Sequence, residues 1–308
     1  MNPSRQPVLP LEVPPVRRVV SASRRSDLPA YHTRWLMERL RAGWCEVRNP
    51  FGGQLSRVDL RPESVLALVF WTRDPSPLLP HLAELDDRGY RYYVQLTLND
   101  YPAFLEPGSA PADAVIDSAR QLVDRGGPAA CVWRYDPVIL TDATPPAYHR
   151  ERVTALSRAL SGLTDTCVVS WIDLYRKTTR NLTPALEAEG VSLLPDDPAR
   201  DRRLLADLAR IVDGAGMRLE LCCEPEWITD HAPAARCVDD RRLARLLGQA
   251  VKLPSRPSRA GCGCRASVDI GAYDTCARGC VYCYANRSPA AGRSGAAGAS
   301  ADAPSLGG

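Results

Sequence analysis

Cysteine is the residue whose spacing carries the most chemistry in this chain. Residues 275–286 read TCARGCVYCYAN, placing Cys276, Cys280 and Cys283 in a C-x3-C-x2-C pattern. Three thiolates this close form an incomplete tetrahedral set, and two readings compete. A structural zinc site would recruit a fourth ligand from elsewhere and close its shell. An iron–sulfur cluster held by three cysteines would leave one iron open to another ligand. The polar, tight step Arg278-Gly279 argues against simple buried thiols. A second group precedes the first: Cys222, Cys223, Cys237 and the step Cys262-Gly263-Cys264. Cys-Gly-Cys is a short chelating turn. With Cys237 and one of Cys222 and Cys223 it makes a four-thiolate set for zinc or a second iron–sulfur cluster. Strand alternation sends Cys222 and Cys223 to opposite faces, so one of the two is expected to serve. The competing reading is a pair of small strand thiols beside a turn of no chemical importance. Cys45, Cys131 and Cys167 begin or lie within strand runs and read as core. His32, His81, His149 and His231 show no metal-ligand spacing.

Seven short β-rich runs must position these groups: 17–23, 66–72, 92–98, 129–135, 166–173, 217–223 and 266–273. Helix-like stretches lie between them, several ending in glycine as a helix stop should. This alternation predicts an α/β fold with a parallel sheet and right-handed crossovers. Residues 44–60 depart from it, because two alternating runs around Gly52-Gly53 predict a β-hairpin inserted after the first helix. About 270 residues suit a TIM-like (β/α) barrel. An open doubly wound sheet would satisfy the same pattern, but no GxGxxG or P-loop favours it.

In parallel α/β folds the site forms at the C-terminal strand ends. Polar residues gather there: Arg24, Arg25 and Asp27; Thr72, Arg73 and Asp74; Gln95, Thr97 and Asn99; Arg134 and Asp136; Asp173, Tyr175 and Lys177; Glu224 and Glu226. Asp-Pro and Asn-Asp steps are also ordinary turn formers and caps. Arg73, Gln95 and Arg134 need more than that, since long polar groups in apolar strands require partners or a polar cavity. Together the strand ends predict one polar pocket suited to a ligand with carboxylate, amine or phosphate groups. Arg24, Arg73, Arg134 and Asp136 are its candidate catalytic residues.

The 308 residues carry 39 basic and 36 acidic side chains, a net charge of +3. That balance predicts no broad footprint for nucleic acid or membrane. No run reaches transmembrane length and the N-terminus lacks a signal-peptide core, so the expected location is the cytoplasm, without a membrane partner. There, eleven cysteines read as buried thiols, metal ligands or redox groups rather than a disulfide framework. Proline-rich 1–15 and the small-residue tail 288–308 are expected to be disordered, leaving 16–287 as a single domain.

With these residues in view, the C-x3-C-x2-C loop with Tyr282 before its last cysteine resembles the signature of radical S-adenosylmethionine enzymes. The string GCVYCYAN is similar to their spore photoproduct lyase branch. The chain from about 17 to 287 resembles the bacterial domain-of-unknown-function 1848 family, through SASRRSDLPAY, VRNPF, FWTRDP, WRYDP, DLYRK and CGCRASVDIGAYDTCARGCVYCYAN. The resemblance implies a [4Fe–4S] cluster on Cys276, Cys280 and Cys283, with S-adenosylmethionine on the open iron and a 5′-deoxyadenosyl radical as the reagent for an unknown substrate. It further implies Tyr282, Gln95 and Asp173 as cofactor-binding residues, and an electron donor such as a flavodoxin or ferredoxin. It favours Cys222 over Cys223 in the second group. Radical S-adenosylmethionine barrels usually carry their motif near the first strand, so its late position here implies a circular permutation. The alternative is a zinc-stabilised protein without catalysis, binding nucleic acid through arginines 17–18 and 24–25. The near-neutral charge and lack of a nucleic-acid motif stand against that alternative.

Overall fold

The computed structural model describes residues 17–307; the expectation for 1–15 falls outside them. The strands are β1 (Arg18–Ala22), β2 (Trp44–Arg48), β3 (Leu55–Asp59), β4 (Val65–Thr72), β5 (Tyr92–Thr97), β6 (Cys131–Val138), β7 (Thr166–Trp171), β8 (Arg218–Leu221) and β9 (Val268–Asp269). The helices are α1 (Leu28–Tyr31), α2 (Thr33–Ala42), α3 (Leu82–Asp87), α4 (Ala112–Gly126), α5 (Pro146–Leu160), α6 (Arg176–Ala188), α7 (Pro198–Gly214), α8 (Asp240–Leu247) and α9 (Pro289–Gly298). Local chemistry sets several boundaries. Asp197 caps α7 by accepting from the backbone of Ala199 and Arg200, with Pro198 at the first helical position. Asp239 caps α8, which stops at Gly248 in the left-handed region. Helix α4 buries Val115, Ile116, Ala119 and Leu122, one stripe at helical spacing.

Seven strands form one parallel sheet in the order β8-β7-β6-β5-β4-β1-β9, and β2 pairs antiparallel with β3 as the expected hairpin. Read from β9, the sheet runs through the other six strands in chain order without reversing. A doubly wound sheet reverses at a switch point; this one winds a single way, as barrel sheets do. The expected closed barrel is nevertheless corrected: β8 and β9 stand at opposite edges and are not paired. The two sheet faces explain why. Val20, Leu68, Phe70, Val94, Trp133 and Val169 pack into the large core with the helices. Their neighbours Val19, Val69, Tyr93, Val132 and Val168 pack instead against Ala235, Cys237, Val238, Leu243 and Cys264. The segment after β8 therefore lies across the inner face, and Leu221 pairs with Ala234 at the edge where an eighth strand would close the ring.

The tail also departs from expectation. Residues 289–298 form α9, capped by Ser288. Beyond it, Trp35 donates to the Ala303 carbonyl at 2.9 Å, the Glu46 amide donates to Pro304, and Leu306 is buried. Low complexity misled here because the small residues are contact-makers. A Cβ on Gly292 would stand 2.3 Å from the Cys276 carbonyl oxygen, and one on Gly295 would stand 1.8 Å from that of Asp274. Glycine is what lets this helix lie against the 274–276 backbone. No helix among the described residues is long and apolar enough to cross a membrane.

Candidate functional site

The C-x3-C-x2-C loop leaves β9 at the C-terminal end of the sheet, beside β1. Asp269, the last residue of β9, fastens the two. Its carboxylate accepts from Ser21 Oγ (2.8 Å), Ser23 Oγ (2.7 Å) and the backbone of Arg24 (2.8 Å) and Gly271 (3.1 Å). His32 Nε2 holds the Thr275 carbonyl at 2.7 Å, Asn286 Nδ2 donates to the Cys276 carbonyl at 2.7 Å, and Arg278 donates to the Gly108 carbonyl at 2.8 Å. Gly279 sits at φ +87°, where a side chain would strain the turn. Cys276, Cys280 and Cys283 lie within electrostatic range of one another. Burial pushes the Cys276 thiol up to about 11, with Asp27 and Cys283 adding to it. Burial also raises Cys280, against the opposing Arg73 charge.

A buried polar knot stands behind the loop. Arg73 donates to Glu106 and to the Tyr282 hydroxyl, both at 2.7 Å, while that hydroxyl donates to Glu106. Asn99 Nδ2 reaches Glu106 at 2.9 Å, and Asn99 Oδ1 accepts from the Asp136 backbone at 2.8 Å. Tyr282 thus ties the motif to β4 and β5 by its ring hydroxyl. Glu106 was invisible in the sequence because it lies in a loop, away from every strand end.

The inner face holds the remaining candidates. Arg134 donates to Asp136 Oδ2 through Nε (3.1 Å) and Nη2 (2.5 Å), and through Nη1 to Gln95 Oε1 (3.3 Å) and Cys237 Sγ (3.0 Å). Gln95 is buried, and its amide and the Tyr93 hydroxyl both donate to the Cys237 carbonyl. Asp136 accepts from Ser170 Oγ. The Arg24 and Arg134 guanidiniums lie 5.4 and 5.3 Å from the Trp71 ring. Asp173 stands apart: it is exposed on the surface and paired with Arg259.

The second cysteine group assembles here too. Cys222 Sγ lies 3.8 Å from Cys237 Sγ and 3.9 Å from Cys223 Sγ. The expected opposite facing of Cys222 and Cys223 is overturned, because Cys223 takes φ +65° just past the strand and swings its thiol back. Hydrogen bonds from Cys222 and Cys264 hold Cys237 well below the usual thiol range, and Arg134 adds to the effect. Among the described residues, no three His, Cys, Asp or Glu side chains stand in a ready-made arrangement around a metal ion. For the C-terminal loop the fit rests on the donor set: three thiols on one tight loop, which a cluster wider than an ion can span. Cys45, Cys131 and Cys167 are fully buried in the core.

The profile of the family described as a domain of unknown function, DUF1848, matches residues 19–285. The chain belongs to that family. No curated protein matches this DUF1848 sequence. Among solved structures it is similar to mannonate dehydratase from Streptococcus suis serotype 2, at 10% identity and a TM-score of 0.33. The chain spans 58% of that structure's length, over 58% of its own.

Proposed function

We propose that this DUF1848 protein is an iron–sulfur enzyme of the radical S-adenosylmethionine type. The observation that carries the reading is the pairing of β9 with β1, which sets the three-cysteine loop at the C-terminal end of the sheet, where α/β enzymes build their sites. Cys276, Cys280 and Cys283 would hold three irons of a [4Fe–4S] cluster, leaving the fourth for the amino and carboxylate groups of S-adenosylmethionine. When bound, the cluster would supply the electron that splits the cosubstrate into methionine and a 5′-deoxyadenosyl radical.

The chain's own residues do the rest. Asp269 fixes the Ser23 hydroxyl and the backbone of Arg24 and Gly271 around the loop mouth. Arg73 places positive charge near Cys280, offsetting thiolate charge in a buried setting. Glu106 and Asn99 keep the Tyr282 hydroxyl in place, so the loop between Cys280 and Cys283 cannot swing out. Arg24 Nε, Ser26 Oγ and Trp171 Nε1 are buried without partners. A ligand rich in acceptors, such as a carboxylate, would satisfy such groups, since each costs free energy while unpaired.

The test is anaerobic purification followed by iron and sulfide analysis and 5′-deoxyadenosine measurement with dithionite and S-adenosylmethionine. We expect a brown protein that forms 5′-deoxyadenosine and loses both properties in Cys280→Ala. A colourless, folded wild-type chain that stays iron-free after anaerobic reconstitution refutes the reading.

A further inference from the structure

We propose that Cys222, Cys237, Cys262 and Cys264 form a separate tetrathiolate site for a single zinc-type divalent ion, independent of the radical chemistry above. Three stretches of chain bring these thiols together: the end of β8, the inner-face residue Cys237, and the Cys262-Gly263-Cys264 turn. Beyond the 3.8 Å contact of Cys222 with Cys237, the side chains of Cys237 and Cys264 are buried in one cluster on the inner face, with Cys222 and Cys262 packed against it. The spacing selects the occupant. A tetrahedral site with metal–sulfur bonds of about 2.3 Å has sulfur–sulfur edges of about 3.8 Å. An iron–sulfur cube interposes its own core between its ligands, which then stand well beyond sulfur–sulfur contact. The sequence left ion and cluster open; the 3.8 Å contact of Cys222 with Cys237 favours the ion.

The thiols as they stand form a chain of neighbours rather than a tetrahedron, so binding requires rotation about the Cys side-chain bonds, most of all at Cys262. That residue lies in a loop, half-buried, with Ser258 Oγ at 3.5 Å. Charge supports the same occupant. Four thiolates around a divalent ion carry two excess negative charges, which a low-dielectric interior tolerates only beside cations. Two arginines are in place. Arg134 already donates to Cys237 Sγ at 3.0 Å, and Arg24 lies within electrostatic range of Cys264 and Cys237. Close approach is also built in, since a Cβ on Gly263 would stand 2.9 Å from the Ala235 carbonyl oxygen. Cys223 touches Cys222 at 3.9 Å and lies near Cys262, but it does not pack into the inner-face cluster that holds the other four, and the proposal leaves it outside the ligand set.

The experiment measures metals in the full-length chain purified under nitrogen, beside the triple variant Cys276→Ala/Cys280→Ala/Cys283→Ala. Stoichiometric zinc in both, with iron only in the wild type, supports the site; iron missing from the wild type would sink the radical reading alone. Cobalt-grown protein should show the intense visible bands of a tetrahedral thiolate site. Cys264→Ser and Cys262→Ser should lose the zinc, and Cys223→Ser should keep it. Should Cys264→Ser fail to fold, Cys262→Ser and the wild-type metal content decide. Folded wild-type protein without zinc, whose inner thiols all react with a thiol reagent, overturns the proposal. Iron with sulfide in the triple variant, or zinc loss in Cys223→Ser, overturns it equally.

Discussion

Helix α9 offers the sharpest test of how the motif loop is held, because three of its glycines make different contacts. A Cβ on Gly295 would lie 1.8 Å from the Asp274 carbonyl oxygen and 3.0 Å from its carbonyl carbon. Carbon–oxygen contacts settle near 3.3 Å or beyond, so Gly295→Ala must push helix and loop apart by about 1.5 Å. The obstacle is backbone, which cannot rotate away as a side-chain tip would. Overpacking of this kind costs about 1–3 kcal/mol, while alanine's helix preference returns at most about 1 kcal/mol. Gly298 has nothing within 4 Å of the same construction, so Gly298→Ala keeps the gain without the clash. Gly295→Ala should melt below Gly298→Ala by roughly 2–12 °C, taking about 2–4 °C per kcal/mol for a domain of this size. Thermal melting with limited trypsin digestion is the assay, and Gly295→Ala should also expose the tail to cleavage after Arg293. Equal melting and equal protection in the two variants would show that α9 does not lie against the 274–276 backbone.

Glu106→Ala removes the anion that Arg73, Tyr282 and Asn99 share, leaving a buried guanidinium; we expect a loss of about 3–5 kcal/mol in urea unfolding. Asp269→Ala strands two serine hydroxyls and two backbone amides, and should cost about 3 kcal/mol, with Asp269→Asn recovering part of it. His149 is fully buried between the Tyr135 hydroxyl and the Ile139 carbonyl, and burial lowers its pKa to about 4 from an ordinary 6.5. Below pH 6.5 the unfolded chain takes up the proton first, so stability falls as pH drops from 6.5 towards 4, by about 3 kcal/mol in all. Urea midpoints of wild type and His149→Gln across that range should converge at low pH; parallel curves would contradict the assignment.

The seven strand runs and the 44–60 hairpin were legible because period-two alternation and punctuating glycines are local signals. Barrel closure was not, since strand content says nothing about what lies across the inner face. The segment carrying Cys237 and Cys264 settles that question, and its irregular backbone has no periodicity to read. Arg73, Arg134 and Gln95 stood out correctly as polar groups needing partners, yet their partners came from far away: Glu106, Cys237 Sγ and a main-chain carbonyl. Asp173 looked equivalent at a strand end but points outward, because the chain after β7 turns to the surface before α6. Cys223 was misplaced for a still more local reason, one positive φ that alternation rules cannot foresee. The tail was misread because composition reports how much apolar surface a segment owns, not how closely glycine lets it approach a neighbour.

The pairing of β9 with β1 also bears on how the chain is made. Synthesis completes β1 and β4 through β8 before β9 leaves the ribosome. Until then β1 is a bare edge, with Val19, Val20 and Ala22 flanking unpaired backbone groups of the kind that recruit foreign strands. The partner that finally covers it contributes two residues, Val268 and Asp269, a short ladder for so exposed a position. Asp269 makes up the difference with its side chain, gripping Ser21, Ser23 and Arg24. The segment that carries Cys276, Cys280 and Cys283 is thus also the cap of the nascent sheet, and edge protection waits on its arrival. Chains that stall or are cleaved ahead of β9 should aggregate rather than persist in solution.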